Sequence, residues 1–267
     1  MPDFFDIHSH VTFKDYEDDL EEVLSRMKGE NVWTTTVGVD EETSQEAVEF
    51  AKTHEGFFAT IGLHPTDTPH ESFNESYYEE LVNDPKVLAI GECGLDYFRM
   101  VGDPAVEKPR QRVEFEKQMA FAITHNKPLM IHCRPSKGSM DAYEDILLIL
   151  ESEHKRVGDK LRGNVHFFVG DVGVAKRFYD IGFTTSFTGV LTFTNDYNEV
   201  VKSAPLSMIL TETDSPFATP TPFRGKRNEP QYVRYVVEAI ARIRGEEEGV
   251  VRQAVVQNAF RVFGLTA

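Results

Sequence analysis

The stretch Phe4-Phe5-Asp6-Ile7-His8-Ser9-His10 places an apolar run directly before two histidines that are separated by one residue. Side chains alternate across a β-strand with a period of two, so Asp6, His8 and His10 are predicted to share one face. Two imidazoles at this spacing can hold one divalent ion, with Asp6 able to orient a ligand from behind. The alternative is a pair of surface histidines at a strand end.

The same pattern, a short apolar run followed by reactive polar side chains, recurs along the chain. Eight candidate strands are residues 4–7, 32–39, 57–63, 87–91, 128–132, 164–169, 183–187 and 208–211. Segments with helical spacing lie between them, for example residues 16–28, 43–54, 107–125, 142–156, 172–179 and 230–244. Strands that alternate with helices indicate βαβ units and parallel pairing.

Eight such units predict an α/β fold in which residues 1–267 form a single (β/α)8 TIM barrel domain. Residues 249–263 would add a helix that closes the outer layer. An open doubly wound sheet is the alternative, which the strand count disfavours. In a barrel the active site lies at the C-terminal mouth of the strands, where their last residues converge. Those residues are Asp6, His8, His10, His64, Glu92, Asp96, His132, Arg134, His166, Glu212 and Asp214.

Composition and charge limit the location, the partners and the substrates that the protein can have. The chain has no apolar run long enough for a membrane span and no recognisable signal peptide at its start, which predicts a cytoplasmic protein. No obligate protein partner is evident. The net charge of −16 argues against coating a long nucleic acid. A DNA end or a small phosphate-bearing substrate is compatible with it, because bound metal ions invert the local field.

The two cysteines are predicted to be reduced and structural. Cys93 and Cys133 each have the opposite parity to the strand-end residue before them, so they point away from the mouth. Zinc thiolate sites also favour paired Cys-x-x-Cys spacing, which is absent from the sequence.

The strand-end residues divide into two predicted metal sites. One would consist of His8, His10, Glu92 and Asp214, and the other of Glu92, His132 and His166. A bridging Glu92 would hold two ions about 3.5–4 Å apart, and such ligands suit Zn, Mn, Ni or Mg. Asp214 could also accept a proton from the attacking water; its alternative is to cap the turn beside Pro216. A histidine such as His166, taken alone, is more typical of a satisfied core residue.

Seven motifs together resemble the TatD family of metal-dependent deoxyribonucleases, a branch of the amidohydrolase-like barrels. They are Asp6-Ile7-His8-Ser9-His10, Ile61-Gly62-Leu63-His64-Pro65, Ile90-Gly91-Glu92-Cys93-Gly94-Leu95-Asp96-Tyr97, Ile131-His132-Cys133-Arg134, Val165-His166, Thr211-Glu212-Thr213-Asp214-Ser215-Pro216 and Gly225-Lys226-Arg227-Asn228-Glu229-Pro230. The resemblance implies metal ligands at His8, His10, Glu92, His132, His166 and Asp214. It implies catalytic roles for Glu92 and Asp214, and substrate-binding roles for His64 and Arg134. The alternatives are a structural loop role for His64 and a salt bridge for Arg134.

Two departures from the family's pattern concern the substrate. His166 is followed by Phe167-Phe168-Val169-Gly170, where the family usually has Cys-Phe-Ser-Gly, so a hydroxyl is lost at Val169. Residues 135–140 follow Arg134 where the family usually begins an acidic helix. This insertion is predicted to lengthen or reshape a loop over the pocket.

The resemblance and the two-metal pattern indicate a phosphodiesterase that acts at DNA ends, similar to a 3′ exonuclease. The alternative keeps the metal site and hydrolyses a non-DNA ester or amide, including the ester of aminoacyl-tRNA. A non-catalytic metal-binding protein is disfavoured because all six ligands are present. No aromatic and basic strip for a single strand stands out. The loop candidates for one are Tyr97, Phe98, Arg99, Phe223, Arg224, Lys226 and Arg227.

Overall fold

Eight parallel strands form one sheet in the computed structural model, which describes residues 1–266. The strands are β1 (Phe4–Ser9), β2 (Val32–Val37), β3 (Phe57–Ile61), β4 (Val87–Asp96), β5 (Leu129–Arg134), β6 (Gly163–Val165), β7 (Thr184–Phe187) and β8 (Ile209–Thr211). Each strand pairs with the next in strictly consecutive order. A doubly wound sheet reverses its strand order, so that alternative is wrong and the (β/α)8 barrel is confirmed.

The barrel nearly closes where the end of β1 meets the segment after β8. The N–H of Asp214 donates to the carbonyl of His8 at 2.9 Å, and the N–H of His10 donates to the carbonyl of Ser215 at 2.8 Å. Ser9 and Ser215 also form a parallel bridge. Backbone hydrogen bonds therefore hold Asp214 beside the two histidines of β1.

Helices connect the strands and cover the sheet. They are α1 (Leu20–Gly29), α2 (Glu41–Thr53), α3 (Glu75–Leu81), α4 (Pro104–Thr124), α5 (Asp141–Val157), α6 (Val172–Asp180), α7 (Asn198–Ser203), α8 (Val233–Arg244) and α9 (Glu248–Phe263). The sequence pattern did not predict α3 and α7, because fewer than eight residues are too short to show a helical period. Within residues 1–266 no helix has the length and apolarity that crossing a bilayer requires.

Most strand ends lie within two residues of their predicted positions, and the ends of β4 and β6 differ by more. β6 ends at Val165 because Phe167 has a φ of 45°, which takes the backbone out of the extended region. β4 continues five residues past Gly91, to Asp96. A Cβ at Gly91 would lie 2.3 Å from the carbonyl oxygen of Met130, and one at Gly94 would lie 2.0 Å from that of His132. Only glycine permits this approach of β4 to β5, which brings Glu92 beside His132.

The core consists of two apolar clusters. The larger lies between the sheet and the helices and includes both free thiols, Cys93 and Cys133. The smaller joins residues near the amino ends of the strands, such as Phe5, to Phe260 and Phe263 of α9. The last helix therefore seals the end of the barrel opposite the mouth, in addition to packing beside α8.

Candidate metal centre

Seven of the eight predicted site residues meet in one cluster at the C-terminal mouth of the barrel. Every member except Asp214 is less than a tenth exposed. The cluster consists of His8, His10, His64, Glu92, His132, His166 and Asp214. The eighth residue, Arg134, lines the cavity above it.

The first predicted ligand set surrounds a single point. The Nε2 atoms of His8 and His10 lie 3.3 Å apart. Asp214 Oδ1 is 3.7 Å from the first and 3.6 Å from the second. Glu92 Oε2 is 3.4 Å and 3.9 Å from the same two nitrogens. Four potential ligand atoms therefore face one another without apolar atoms between them.

The ring of His10 is oriented by the backbone of β2. Its Nδ1 lies 3.2 Å from the carbonyl oxygen of Val37, so Nδ1–H donates to that oxygen and the lone pair of Nε2 faces the cluster. For His8, burial lowers the pKa, which favours the neutral ring that a metal ligand requires. Both rings are thus presented in the form that binds a metal.

Asp6 was expected to share the face of His8 and His10, but its carboxylate faces the segment after β8 instead. Its carboxylate accepts the N–H of Thr213 at 2.8 Å and the N–H of His8 at 3.3 Å, so it joins β1 to the segment after β8. The register between β1 and β2 shifts between Asp6 and Ser9. That irregularity breaks the alternation that predicted a shared face for Asp6 and the two histidines.

The second ligand set faces the other oxygen of Glu92. Glu92 Oε1 lies 2.7 Å from His132 Nδ1 and 2.9 Å from His166 Nε2. His64 Nε2 lies 3.5 Å from the same oxygen. The two oxygens of one carboxylate therefore serve two separate groups of side chains, as expected of a bridging ligand.

The electrostatics of the cluster suit cations. Burial alone would raise the pKa of Glu92, but the imidazoles around it, His166 foremost, hold the pKa well below its usual range. Burial would lower the pKa of His166, but Glu92 and then Glu212 raise it well above its usual value. An ionised carboxylate thus faces a protonated ring, whose proton a metal ion would displace. Carboxylate and imidazole atoms in these groups fit a divalent metal.

Two carboxylates, Asp96 and Glu212, lie behind the histidines of the cluster, and the strand pattern placed both at the mouth without a specific role. Asp96 Oδ2 lies 3.0 Å from His132 Nε2, the ring nitrogen opposite the one that faces Glu92. Glu212 Oε1 lies 3.3 Å from His166 Nδ1, and its Oε2 accepts the hydroxyl of Ser186 at 2.7 Å. Carboxylates behind metal-binding imidazoles hold the ring and increase its basicity.

Glu212→Gln is expected to weaken metal binding at the His132 and His166 side by about 10- to 100-fold, the usual effect of losing such a carboxylate. The fully buried Glu212 loses its charge but keeps its volume. Calorimetric titration with Mn²⁺ measures the change. Ser186→Ala is the matched control, because it removes a hydrogen bond to Glu212 and leaves the carboxylate facing His166. Equal affinities of Glu212→Gln and the parent protein would contradict the expected role.

His64 points a hydrogen-bond donor into the cavity. The N–H of Thr66 donates to His64 Nδ1 at 3.2 Å, so the ring proton lies on Nε2, the atom that faces Glu92. Burial lowers the pKa of His64 to about 3, which keeps the ring neutral. A neutral N–H donor beside the cluster fits contact with a substrate oxygen.

The cluster forms the floor of a cavity of about 740 Å³. Arg99, Arg134 and Arg224 line this cavity, and the Arg134 guanidinium lies 4.1 Å from the ring centre of Phe98. Within residues 1–266 none of these three arginines pairs with a carboxylate, so the salt-bridge alternative for Arg134 is wrong. Their charges remain available to an anionic ligand.

The two departures from the family's pattern, at Val169 and at residues 135–140, lie at different distances from the cavity. Val169 lines the cavity, and its N–H donates to the hydroxyl of Tyr143. Residues 135–140 fold back onto the start of α5, where the N–H of Ser136 donates to Asp141 at 2.9 Å. None of these six residues lines the cavity, although Arg134, directly before them, does. Their effect on the shape of the loop stays a prediction.

Comparison with known proteins assigns the chain to a family. The model of the TatD related DNase family matches residues 5–264. The metal-dependent hydrolase YabD of Bacillus subtilis is 39% identical, over 97% of this chain and 98% of that protein. The TatD protein of Klebsiella pneumoniae, named as a 3′-5′ ssDNA/RNA exonuclease, is 30% identical over 98% of both chains.

Solved structures with a similar fold include two TatD homologues. YjjV, a TatD homologue of Escherichia coli, has a TM-score of 0.87 at 24% identity, over 99% of both chains. A TatD family hydrolase of Entamoeba histolytica has a TM-score of 0.81 at 22% identity, over 98% of both chains. The chain belongs to the TatD family of metal-dependent hydrolases.

Proposed function

We propose that this protein is a two-metal phosphodiesterase that removes nucleotides from the 3′ end of single-stranded DNA. The observation that carries the proposal is Glu92, whose two oxygens face two separate groups of metal-binding side chains. Two ions about 3.5–4 Å apart are the arrangement that clamps a phosphoryl group. The name of the Klebsiella relative supports a nucleic-acid substrate and the 3′-5′ polarity.

The residues that would hold the ions are those of the cluster. His8, His10, Glu92 and Asp214 would bind the first, and Glu92, His132 and His166 the second. Mg, Mn, Zn and Ni all accept such ligands. Bound divalent ions would supply an activated water and neutralise charge on the phosphate.

The protein's own groups perform the remaining steps. Asp214 accepts a proton from the attacking water, whose oxygen bonds to phosphorus while the bond from phosphorus to the leaving sugar oxygen breaks. The leaving oxygen then takes a proton from solvent. The Nε2–H of His64 and the planar fork of Arg134 donate to the phosphate oxygens that carry the growing charge.

The shape of the site supports attack at a strand end. The cavity ends on the buried cluster, and the barrel below is filled by side chains such as Leu210 and Met130. A polymer can therefore enter this cavity by its end but cannot thread through it. The acidic surface of the chain, with a net charge of −16, also opposes contact along a duplex.

The proposal is tested on single-stranded DNA labelled at the 5′ end, with the protein reconstituted in Mg²⁺ or Mn²⁺. A ladder that shortens progressively from the 3′ end is expected. Asp214→Asn is expected to slow it by about 10²- to 10⁴-fold, the contribution of a positioned general base. Asp196→Asn removes the same charge from an exposed site near the mouth and should leave the rate unchanged.

The same assay separates the alternatives. Internal cuts or shortening of a 3′-labelled strand from its 5′ end would contradict the polarity. Absence of DNA cleavage by fully metal-loaded protein would overturn DNA as the substrate. Carboxyl esters, including aminoacyl-tRNA, would then be assayed with the same protein and the same Asp214→Asn variant.

A further inference from the structure

The exposed aromatic side chains lie around the mouth of the cavity. Among residues 1–266 the exposed aromatic side chains are Phe98, Phe193 and Phe217, at 51%, 43% and 51% of full exposure. Phe193 and Phe217 line the cavity, and Phe98 stacks on Arg134, which also lines it. Exposed apolar surface gathered at one site indicates a ligand that covers it.

An arginine accompanies Phe193. The Arg224 guanidinium lies 3.8 Å from the centre of the Phe193 ring, and its Nη1 donates to the carbonyl of Thr219 at 2.9 Å. That carbonyl holds the guanidinium in place without neutralising it. An uncompensated arginine on an acidic protein favours an anionic partner.

The two arginine and phenylalanine pairs stand across the mouth from each other. Phe98 lies in the segment after β4, and Arg224 lies in the segment after β8. In a ring of eight strands, β4 and β8 have three strands between them on either side. The two pairs therefore flank the mouth between the metal cluster and solvent on opposite sides.

We propose that Phe193 and Arg224 form a nucleotide site at the rim, in which Phe193 stacks on a base and Arg224 contacts the adjoining phosphate. Single-stranded nucleic acid is the ligand class that offers flat apolar faces alternating with single negative charges, and stacking on aromatic residues is how proteins bind it without reading sequence. Phe217, on the same side of the cavity, extends the apolar surface. This site rests on the proposed phosphodiesterase function and specifies the substrate as a single strand with bases.

The test compares three substrates in the metal-loaded protein: a single-stranded oligonucleotide, the same strand with abasic sugars upstream of the cleaved bond, and bis(p-nitrophenyl) phosphate. The small ester reports on the metal cluster alone. Phe193→Ala is expected to lower kcat/KM on the normal strand by about 5- to 150-fold, the contribution of one stacked base. It should leave the abasic strand and the small ester unchanged.

Arg224→Gln has a different expected signature. It should lower kcat/KM on the normal and abasic strands alike and reduce the salt dependence by about one phosphate contact. Phe193→Trp should cleave the normal strand at about the rate of the parent protein, unlike Phe193→Ala, because indole also stacks on a base. Leu148→Ala, an exposed apolar residue of α5, is the matched control and should change none of these rates.

The outcomes distinguish this site from the proposed function. If the parent protein cleaves neither the oligonucleotide nor the small ester, the phosphodiesterase proposal fails. If it cleaves the oligonucleotide and Phe193→Ala changes nothing, the rim site is wrong while the phosphodiesterase stands. Equal losses on all three substrates would show that Phe193 has a structural role, which would also overturn the rim site.

Discussion

Glu92→Gln is expected to lower phosphodiester turnover by about 10³-fold or more. The substitution keeps the volume of a side chain that is only 4% exposed, but it removes the one charge that both groups of imidazoles face. Metal ions contribute several kcal/mol to transition-state stabilisation, and each 1.4 kcal/mol corresponds to about tenfold in rate. Loss of a ligand shared by both ions weakens the transition-state stabilisation that each ion would supply.

The metal content and the fold of Glu92→Gln together distinguish loss of metal binding from misfolding of the variant. Elemental analysis after dialysis against Mn²⁺ should show fewer ions per chain in Glu92→Gln than in the parent protein, with an unchanged circular dichroism spectrum. Glu199→Gln, whose side chain is 84% exposed, is the matched control and should retain full metal and activity. Full metal content together with undiminished turnover in Glu92→Gln would show that Glu92 is not a bridging ligand.

Phe5→Ala is expected to destabilise the fold by about 4 kcal/mol, within the range for deleting a buried phenyl ring. Phe5 is 1% exposed and its ring contacts those of Trp33, Phe58, Phe260 and Phe263. These neighbours belong to two strands, β2 and β3, and to α9, so the cavity left behind cannot close by moving one element. A decrease of the melting temperature by roughly 8–16 °C follows for a chain of this size.

Urea denaturation measures the free energy of unfolding, with chelator present throughout because bound metal would stabilise the native state. Val250→Ala, in the exposed part of α9, is the control and should change that free energy by less than about 0.5 kcal/mol. A loss below about 1 kcal/mol in Phe5→Ala would show that α9 does not depend on this contact to seal the barrel.

Periodicity in the sequence was sufficient to predict which residues gather at the mouth. A strand that ends in His132 and a strand that ends in Glu92 must share one end of a parallel barrel, whatever lies between them in the chain. The conclusion needs no side-chain geometry, because strand direction alone brings the residues together. The eight strands, the barrel and the cluster of seven site residues follow from that rule.

Orientation within the cluster could not be predicted in this way. Glu212 faces His166 and Asp96 faces His132 across different strands, and the pattern of one strand does not specify its neighbour's register. The register of β1 shifts between Asp6 and Ser9. The Asp6 carboxylate accepts the N–H of Thr213, a residue more than two hundred positions away in the chain.

The sequence by itself determined the order of the strands, the barrel and the chemical types of the site residues, because alternation and helical period are local properties of the chain. Only the tertiary structure decided which oxygen of Glu92 faces which histidines, and which carboxylates support them. It also decided that Ser136 donates to Asp141 at the start of α5 and that Phe193 meets Arg224 at the rim of the cavity. Those contacts join segments distant in sequence, and they depend on strand register and loop packing, which local patterns do not encode.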